Sequence, residues 1–144
     1  MDFGLKYEQQ IVVDTVRAFV ENELYPHEAE VERSGEVPAE LAQEIRFKAL
    51  DLGFYAANIP EEFGGGGLDT LTFTLLEREL GRTSHALSIH FGRPSNILCA
   101  CNNEQRERYL LPAVRGEKLD CLAMTEPDAG SDIRSMKTLA RREG

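Results

Sequence analysis

The sequence predicts a mainly α-helical protein, a bundle of about five helices followed by the first strands of a β domain. Two observations lead to this fold class. Up to about residue 115, apolar residues recur at steps of three and four, which is the spacing of one face of an α-helix. From about residue 119 this spacing disappears, and short apolar runs without helical periodicity follow, as expected for extended chain.

The first two helices are predicted over residues 5–24 and 38–52. Pro26 interrupts the first pattern, so this helix either ends there or resumes briefly. The second helix begins at Pro38, because a first helical turn tolerates proline, and Gly53 is its expected end.

The third and fourth helices are predicted over residues 70–80 and 84–101. Asp69 is the expected N-cap of the third helix. The fourth helix carries few charged residues, so we expect it at the centre of the bundle, with a kink or a restart at Pro94.

A fifth helix follows, and after it the chain changes character. Asn103 is the expected N-cap of a helix over residues 104–115, and its inward-facing side chains are Tyr109, Leu110 and Val114. Residues 119–125 and 133–140 are predicted to be extended. We therefore divide the chain into an N-terminal helical bundle domain, residues 1–118, and the incomplete opening segment of a middle β domain, residues 119–144.

The composition describes an acidic protein of 144 residues with a net charge of −9. Such a charge repels nucleic acid and anionic lipid, so neither is an expected partner. No stretch approaches the roughly eighteen apolar residues of a membrane span, and no secretory or transit signal is visible, so we expect a cytoplasmic protein. The three cysteines are too few, and odd in number, for a disulfide framework.

Three common kinds of site lack their sequence pattern. The glycines at positions 64–67 are not followed by the Gly-Lys-Ser/Thr of a phosphate-binding loop, and we interpret them as a flexible connector. No histidine has a glutamate three residues before it, so a helical di-iron site is not expected. Ser131 lacks the Gly-x-Ser-x-Gly turn of a hydrolase nucleophile. We expect no metal site.

The run Ala123–Asp132 is the most informative part of the sequence. Thr125 and Ser131 offer hydroxyl donors, Pro127 fixes a turn, and Gly130 allows close approach of the backbone. Convergent amide and hydroxyl donors suit an electron-accepting ring or a phosphate group. An ordinary turn capped by Asp132 explains the same residues equally well from chemistry alone.

The segment LAMTEPDAGSD at residues 122–132 resembles the signature of the acyl-CoA dehydrogenase family. Two upstream segments resemble the same family in the expected order. They are IPEEFGGGGL at residues 59–68, and EQRERYLLP at residues 104–112 with Gly116 and Glu117 after it. The resemblance covers essentially the whole chain.

This resemblance implies an FAD-dependent flavoenzyme that carries out α,β-dehydrogenation of an acyl-CoA thioester. It implies that Leu122, Met124 and Thr125 contact the flavin through backbone amides and the threonine hydroxyl. Gly130 and Ser131 would lie beside the flavin and the thioester, with Ser131 near the phosphate-bearing part of the substrate. The segment 88–97 would help to wall the acyl pocket.

The resemblance also implies an electron acceptor such as an electron-transferring flavoprotein, and a homo-oligomer. The carboxylate that removes the α-proton belongs to a later domain in that family, so we assign no catalytic residue and expect the chain to be inactive alone. Glu126 is part of the signature turn and is not given that role. The alternative is a non-catalytic helical interaction or oligomerisation module derived from the same family.

Overall fold

The computed structural model describes residues 4–143. Within this range the fold is mainly helical, as predicted. The α-helices are α1 (Tyr7–Phe19), α2 (Tyr25–Ser34), α3 (Ala39–Asp51), α4 (Thr70–Leu80), α5 (His85–Ser88), α6 (Asn103–Gln105) and α7 (Leu111–Val114). Short 3-10 turns lie at Glu61–Phe63, Ile89–Phe91, Asn96–Ala100 and Ile133–Ser135.

Helix α1 does not end before Pro26 but continues into α2 through one π-helical segment, Val20–Leu24. In a regular α-helix the proline ring would clash with the carbonyl four residues earlier. The wider turn instead pairs the amide of Tyr25 with the carbonyl of Val20, which lets the helix pass the proline. The helix therefore resumes, and it ends at Gly35, where φ is +72°.

Helices α3 and α4 confirm the predicted helices. Helix α3 begins after Pro38 and ends just before Gly53, which has a φ of +74°. Helix α4 begins after Asp69, whose Oδ1 accepts hydrogen bonds from the amides of Leu71 (2.9 Å) and Thr72 (3.1 Å). Both ends follow the local capping chemistry that the sequence displays.

A buried carboxylate links α1 to α4. The side chain of Glu79 is only 3% exposed, and its oxygens accept hydrogen bonds from Arg17 Nε (3.1 Å) and Arg78 Nη2 (2.8 Å). Burial alone would raise the pKa of this carboxyl, but the arginines outweigh burial and hold the pKa below its usual value. The charge is thus compensated where α1 packs against α4.

The predicted kink or restart at Pro94 is confirmed, but the prediction of regular α-helix on both sides of it over residues 84–101 is wrong. The segment consists of α5, a 3-10 turn, a bend and a second 3-10 turn. The bend occurs because Gly92 adopts a φ of +93° and Pro94 has no amide hydrogen to donate. The central position is confirmed for part of the segment, since Leu87 and Phe91 are buried in the core.

The fifth helix begins one residue earlier than predicted. Asn102, rather than Asn103, is the N-cap, because its Oδ1 accepts from the amide of Gln105 (2.9 Å). The side chain of Gln105 in turn accepts from the amide of Asn102 (3.0 Å), which completes a capping box. The same glutamine side chain would have no such partner if the helix began after Asn103.

The fifth helix also passes a proline through a wider turn. A π-helical segment, Arg106–Leu110, precedes Pro112, and the carbonyl of Arg108 accepts instead from Lys118 Nζ (2.7 Å). Leu110 and Val114 are buried as predicted, but Tyr109 is 42% exposed, so its predicted inward position is wrong.

The glycines at 64–67 form a packed loop, and their interpretation as a flexible connector is wrong. The amides of Gly66 and Gly67 donate to the carbonyls of Ala56 (3.1 Å) and Ile59 (2.9 Å). A Cβ atom on Gly65 would lie 2.2 Å from the carbonyl oxygen of Ile59. Gly65 and Gly66 are needed because their backbone packs directly on the backbone of Ile59 and Ala57.

Within the described residues no β-strands paired by hydrogen bonds follow the helices. Residues 119–125 have no regular secondary structure, and the segment predicted to be extended from Ile133 begins with a 3-10 turn. An isolated antiparallel bridge joins Glu126 to Ala129. A β-strand needs a neighbouring strand for its backbone hydrogen bonds, and residues 119–143 have none here.

The core is formed by apolar side chains from α1 through α5, from residues 110–114 and from the loop that precedes the glycines. Its largest members include Phe91, Leu24, Ile45 and Ile59. In the part of the chain that the structure describes, no helix has both the length and the apolar character needed to cross a bilayer.

Candidate functional site

The loop over residues 122–131 presents several hydrogen-bond donors to solvent. The backbone amides of Leu122, Met124 and Thr125 have no acceptor among residues 4–143. Within the same range, the hydroxyls of Thr125 and Ser131 also lack a partner. Residues 122–125 and Ser131 are exposed, so these donors are available to a group that accepts hydrogen bonds.

A tight turn holds this loop in shape. The amide of Glu126 donates to the carbonyl of Ala129 (2.8 Å), and the amide of Ala129 donates back to Glu126 (3.2 Å). Pro127 occupies the turn as the sequence predicts, and Ala129 is buried. The turn therefore separates Thr125 on one side from Ser131 on the other.

The carboxylate of Glu126 braces the chain that returns past the turn. It accepts hydrogen bonds from the amides of Lys137 (2.8 Å) and Thr138 (2.8 Å), and from the Thr138 hydroxyl. The hydroxyl contact is the main reason that the pKa of Glu126 lies below its usual value, and the two amides add to it. An ionised, fully engaged carboxylate is poorly suited to take a proton from a substrate.

Asp132 caps the 3-10 turn that follows. Its carboxylate accepts from the amide of Arg134 (3.2 Å) and from the hydroxyl of Ser135 (2.5 Å). The hydrogen bonds of Asp132 therefore agree with the interpretation of this region as an ordinary capped turn. This interpretation leaves the donors of Thr125 and Ser131 unexplained, because neither takes part in the cap.

Gly130 is not required by the fold of the described residues. Its φ is not positive, and a Cβ atom there would meet no protein atom within 4 Å. The open space beside Gly130 is consistent with the close approach of a further group. Its flavin contact stays a prediction.

A cavity of about 770 Å³ opens beside the loop. Leu119 and Leu122 lie at its mouth and are 68% and 70% exposed, whereas Tyr55 on the inner wall is 6% exposed. From the segment 88–97, Ile89, His90 and Asn96 contribute to the wall. Leu122 belongs to both features, so the cavity borders the start of the donor loop.

The side chains of Arg46, Tyr55 and His90 line the inner side of this cavity. Burial raises the pKa of the Tyr55 phenol, while the charge of Arg46 acts in the opposite direction. Burial lowers the pKa of His90, and the charge of Arg46 lowers it further. The imidazole is therefore mainly neutral at pH 7.

Sequence reasoning missed Arg46 and Tyr55, although one signal was present. Arg46 lies four residues after Ala42 and three before Ala49, both of which are buried on α3. A charge at the edge of an apolar helical face marks a side chain that extends along the core.

Comparison with known proteins identifies a family domain over most of the chain. Residues 6–117 match the family model described as "Acyl-CoA dehydrogenase, N-terminal domain". This range contains all seven α-helices and ends just before the cavity mouth.

Individual relatives agree with this match. Acryloyl-CoA reductase (NADH) of Anaerotignum propionicum is 39% identical, over 97% of this chain and 36% of the reductase. The short-chain specific acyl-CoA dehydrogenase of Clostridium acetobutylicum is 35% identical, over 100% of this chain and 38% of that enzyme. The glutaryl-CoA complex of glutaryl-coenzyme A dehydrogenase matches the fold with a TM-score of 0.75 at 32% identity, over 94% of this chain and 35% of that chain. The chain therefore spans little more than a third of the length of these relatives.

Proposed function

The chain belongs to the acyl-CoA dehydrogenase family, and on that premise we propose that it provides the N-terminal portion of an FAD-dependent acyl-CoA dehydrogenase. In this proposal the chain contributes part of the flavin site and part of the acyl-CoA site. The supporting observation is the set of donors on residues 122–131 that have no acceptor within the described residues, in a loop whose first residue, Leu122, lines the cavity.

The donors of the loop fit the polar edge of a flavin ring. When bound, FAD supplies the acceptor for a hydride that leaves the β-carbon of the thioester. The amides of Leu122, Met124 and Thr125 and the hydroxyl of Thr125 would hold the ring, and negative charge that develops on it would strengthen these hydrogen bonds. Gly130 would allow close approach, and Gly130 and Ser131 would lie beside the flavin and the thioester, with Ser131 near the phosphate-bearing part of the acyl-CoA.

The carboxylate base is proposed to come from outside this chain. Glu126 is engaged by Lys137 and Thr138, and the chain spans 36% of the acryloyl-CoA reductase that it resembles. We accordingly propose that the chain alone binds FAD weakly and does not turn over. An electron-transferring flavoprotein is the proposed electron acceptor.

The exposed apolar residues after the last helix support a larger assembly. Leu119, Ile133 and Leu139 are each more than half exposed. We propose that residues 119–144 open the middle β domain, that their strands form when a neighbouring strand pairs with them, and that residues 1–118 form the helical domain. A homo-oligomer in the cytoplasm is part of the same proposal, and light scattering on the protein from the full reading frame tests its oligomeric state.

Flavin binding tests the proposed function. Protein expressed from the complete reading frame that encodes this chain should carry FAD. In that protein, Thr125→Val should weaken FAD binding about three- to tenfold because one hydrogen bond is lost. Titration of the apoprotein with FAD, followed by flavin fluorescence, measures the dissociation constant.

Thr74→Val is the matched control, since the Thr74 hydroxyl bonds to the carbonyl of Thr70 within α4, away from the loop. It should leave the FAD dissociation constant unchanged. Protein that binds no FAD, or equal weakening by both variants, would contradict the proposed site. Stoichiometric FAD on the 144-residue chain alone would contradict the proposal that the chain holds only part of the site.

A further inference from the structure

One cation on the cavity wall lacks a partner, and it indicates what the cavity binds. The guanidinium of Arg46 projects from α3 toward the inner side of the cavity, next to Tyr55 and His90. Its Cδ lies 3.2 Å from the position of a Cβ on Gly116, so the side chain packs along the backbone there. Its Nε is buried without a hydrogen-bond partner.

Among the residues that the structure describes, three other charged side chains line the cavity, and each has a polar partner. Arg93 pairs with Glu77 (2.5 Å), and Lys118 donates to the carbonyl of Arg108 (2.7 Å). The carboxylate of Asp120 accepts from the amide of Ser95 (3.2 Å). Among residues 4–143, no carboxylate lies within ion-pair distance of Arg46.

Arg46 is only partly exposed and has no ion pair within the described residues, in a chain that is acidic overall. The sequence has 25 acidic residues against 16 basic ones, and many of its other arginines are in ion pairs. A half-buried guanidinium without a counter-charge is costly unless a ligand or water compensates it. The guanidinium of Arg46 therefore favours an anionic ligand, whereas Asp120 on the same wall and the acidic surface around it oppose one.

Apolar side chains that are more exposed than Arg46 also line the cavity. Leu119, Leu122 and Ile89 line the outer part with apolar side chains, and Phe73 adds an aromatic wall. Tyr55, with a hydroxyl that has no partner within the described residues, lies beside Arg46 on the inner part. A ligand with an apolar middle and an anionic end matches this order of surfaces.

We propose that Arg46 binds the terminal carboxylate of an ω-carboxyacyl thioester, so that dicarboxylic acyl groups are the preferred substrate class. This inference rests on the proposed function, because it takes the cavity as the acyl pocket. The methylene groups of the acyl chain lie against the apolar part, and the carboxylate meets the guanidinium and the Tyr55 hydroxyl. The contact forms without a change of protonation, since a carboxylate and a guanidinium are both charged at pH 7.

Length-matched thioesters test this assignment. The protein from the full reading frame is titrated by calorimetry with straight-chain acyl-CoA thioesters and with ω-carboxyacyl-CoA thioesters of the same number of carbons. The wild-type protein should bind the best ω-carboxy thioester about tenfold more tightly than its neutral counterpart, as expected for one charge-assisted contact.

Variants of Arg46 locate that preference. Arg46→Gln should abolish it by weakening the ω-carboxy thioester alone, and Arg46→Lys should restore part of it because the charge is retained. Arg115→Gln is the matched control, since Arg115 is exposed, pairs with Glu117 (2.6 Å) and does not line the cavity. It should keep the full preference, and circular dichroism checks that each variant is folded.

Each other outcome overturns the inference. Equal affinity of the wild-type protein for both thioesters, or an unchanged preference in Arg46→Gln, would show that Arg46 does not bind the terminal carboxylate. The proposed function would be unaffected by either result. Equal weakening of both thioesters and of free CoA by Arg46→Gln would assign the guanidinium to a phosphate of CoA instead. If FAD and both kinds of thioester fail to bind, the proposed function falls as well.

Discussion

Gly92 and Tyr55 together set the shape of the inner wall of the cavity. The ring of Tyr55 lies on the backbone of Gly92, where a Cβ atom would come within 1.9 Å of Cε2. The carbonyl of Gly92 also accepts from the amide of Ala56 (3.3 Å). The position of the phenol beside Arg46 therefore depends on the absence of a side chain at residue 92.

Gly92→Ala should destabilise the protein strongly. The added methyl group overlaps a buried ring, and alanine is strained at a φ of +93°. We expect a loss of about 2–4 kcal/mol in the free energy of unfolding, measured by urea denaturation. Gly130→Ala is the control and should change this free energy by less than about 0.5 kcal/mol, because open space surrounds that position. Similar losses for both variants would contradict the packing at Tyr55.

The loop over residues 122–138 owes its shape to one side chain more than to backbone pairing. Its single antiparallel bridge spans Glu126 and Ala129, and the Glu126 carboxylate ties the turn to Lys137 and Thr138. A loop without a β-ladder is usually mobile. This carboxylate is what fixes the donors of Thr125 relative to the returning chain.

Glu126→Gln should loosen the loop, and acid should do the same to the wild-type protein. Because the folded pKa of Glu126 is lowered, its stabilisation is present above the unfolded pKa of about 4.3 and is lost as pH falls through the folded value. Amide hydrogen exchange at Lys137 and Thr138, measured by NMR, should speed up in the variant at neutral pH. Asp128→Asn is the control, since its carboxylate makes one exposed 3.4 Å contact with Lys137 Nζ. Unchanged amide protection at Lys137 and Thr138 in Glu126→Gln would contradict the role of this carboxylate in fixing the loop.

Local capping chemistry made helices α3 and α4 predictable from the sequence. Asp69 and Gly53 act at their helix ends through contacts with residues a few positions away. The turn at Pro127 was predictable for the same reason. Where the determining contacts are short-range, the sequence contains all that is needed.

Contacts between distant residues explain the failed predictions. The segment 84–101 looks helical, but Tyr55 packs on Gly92 and requires its bend. The glycines at 64–67 look flexible, although the loop packs against Ala57 and Ile59. Arg46 and Tyr55 were missed as cavity residues because they come from parts of the chain that are separate from the segment 88–97 and from Leu122.

Taken as a whole, the molecule combines a well-packed helical domain with an exposed segment after it. The helices enclose a continuous core, whereas Leu119, Leu122 and Leu139 are each about 70% exposed. The donor loop and the cavity lie at the junction of these two parts. This arrangement agrees with a chain that spans 36–38% of related reductases and dehydrogenases.

Reduction of bound flavin by substrate is the most direct test of the proposed function. FAD-loaded protein from the full reading frame is mixed anaerobically with saturated acyl-CoA thioesters, including ω-carboxy forms, and the flavin absorption band is followed. We predict that the band bleaches with thioesters that carry hydrogens on both the α- and β-carbons, and that an analogue without an α-hydrogen leaves it unchanged. Stable absorption with every thioester, in a protein that holds FAD, would contradict the assignment as an acyl-CoA dehydrogenase.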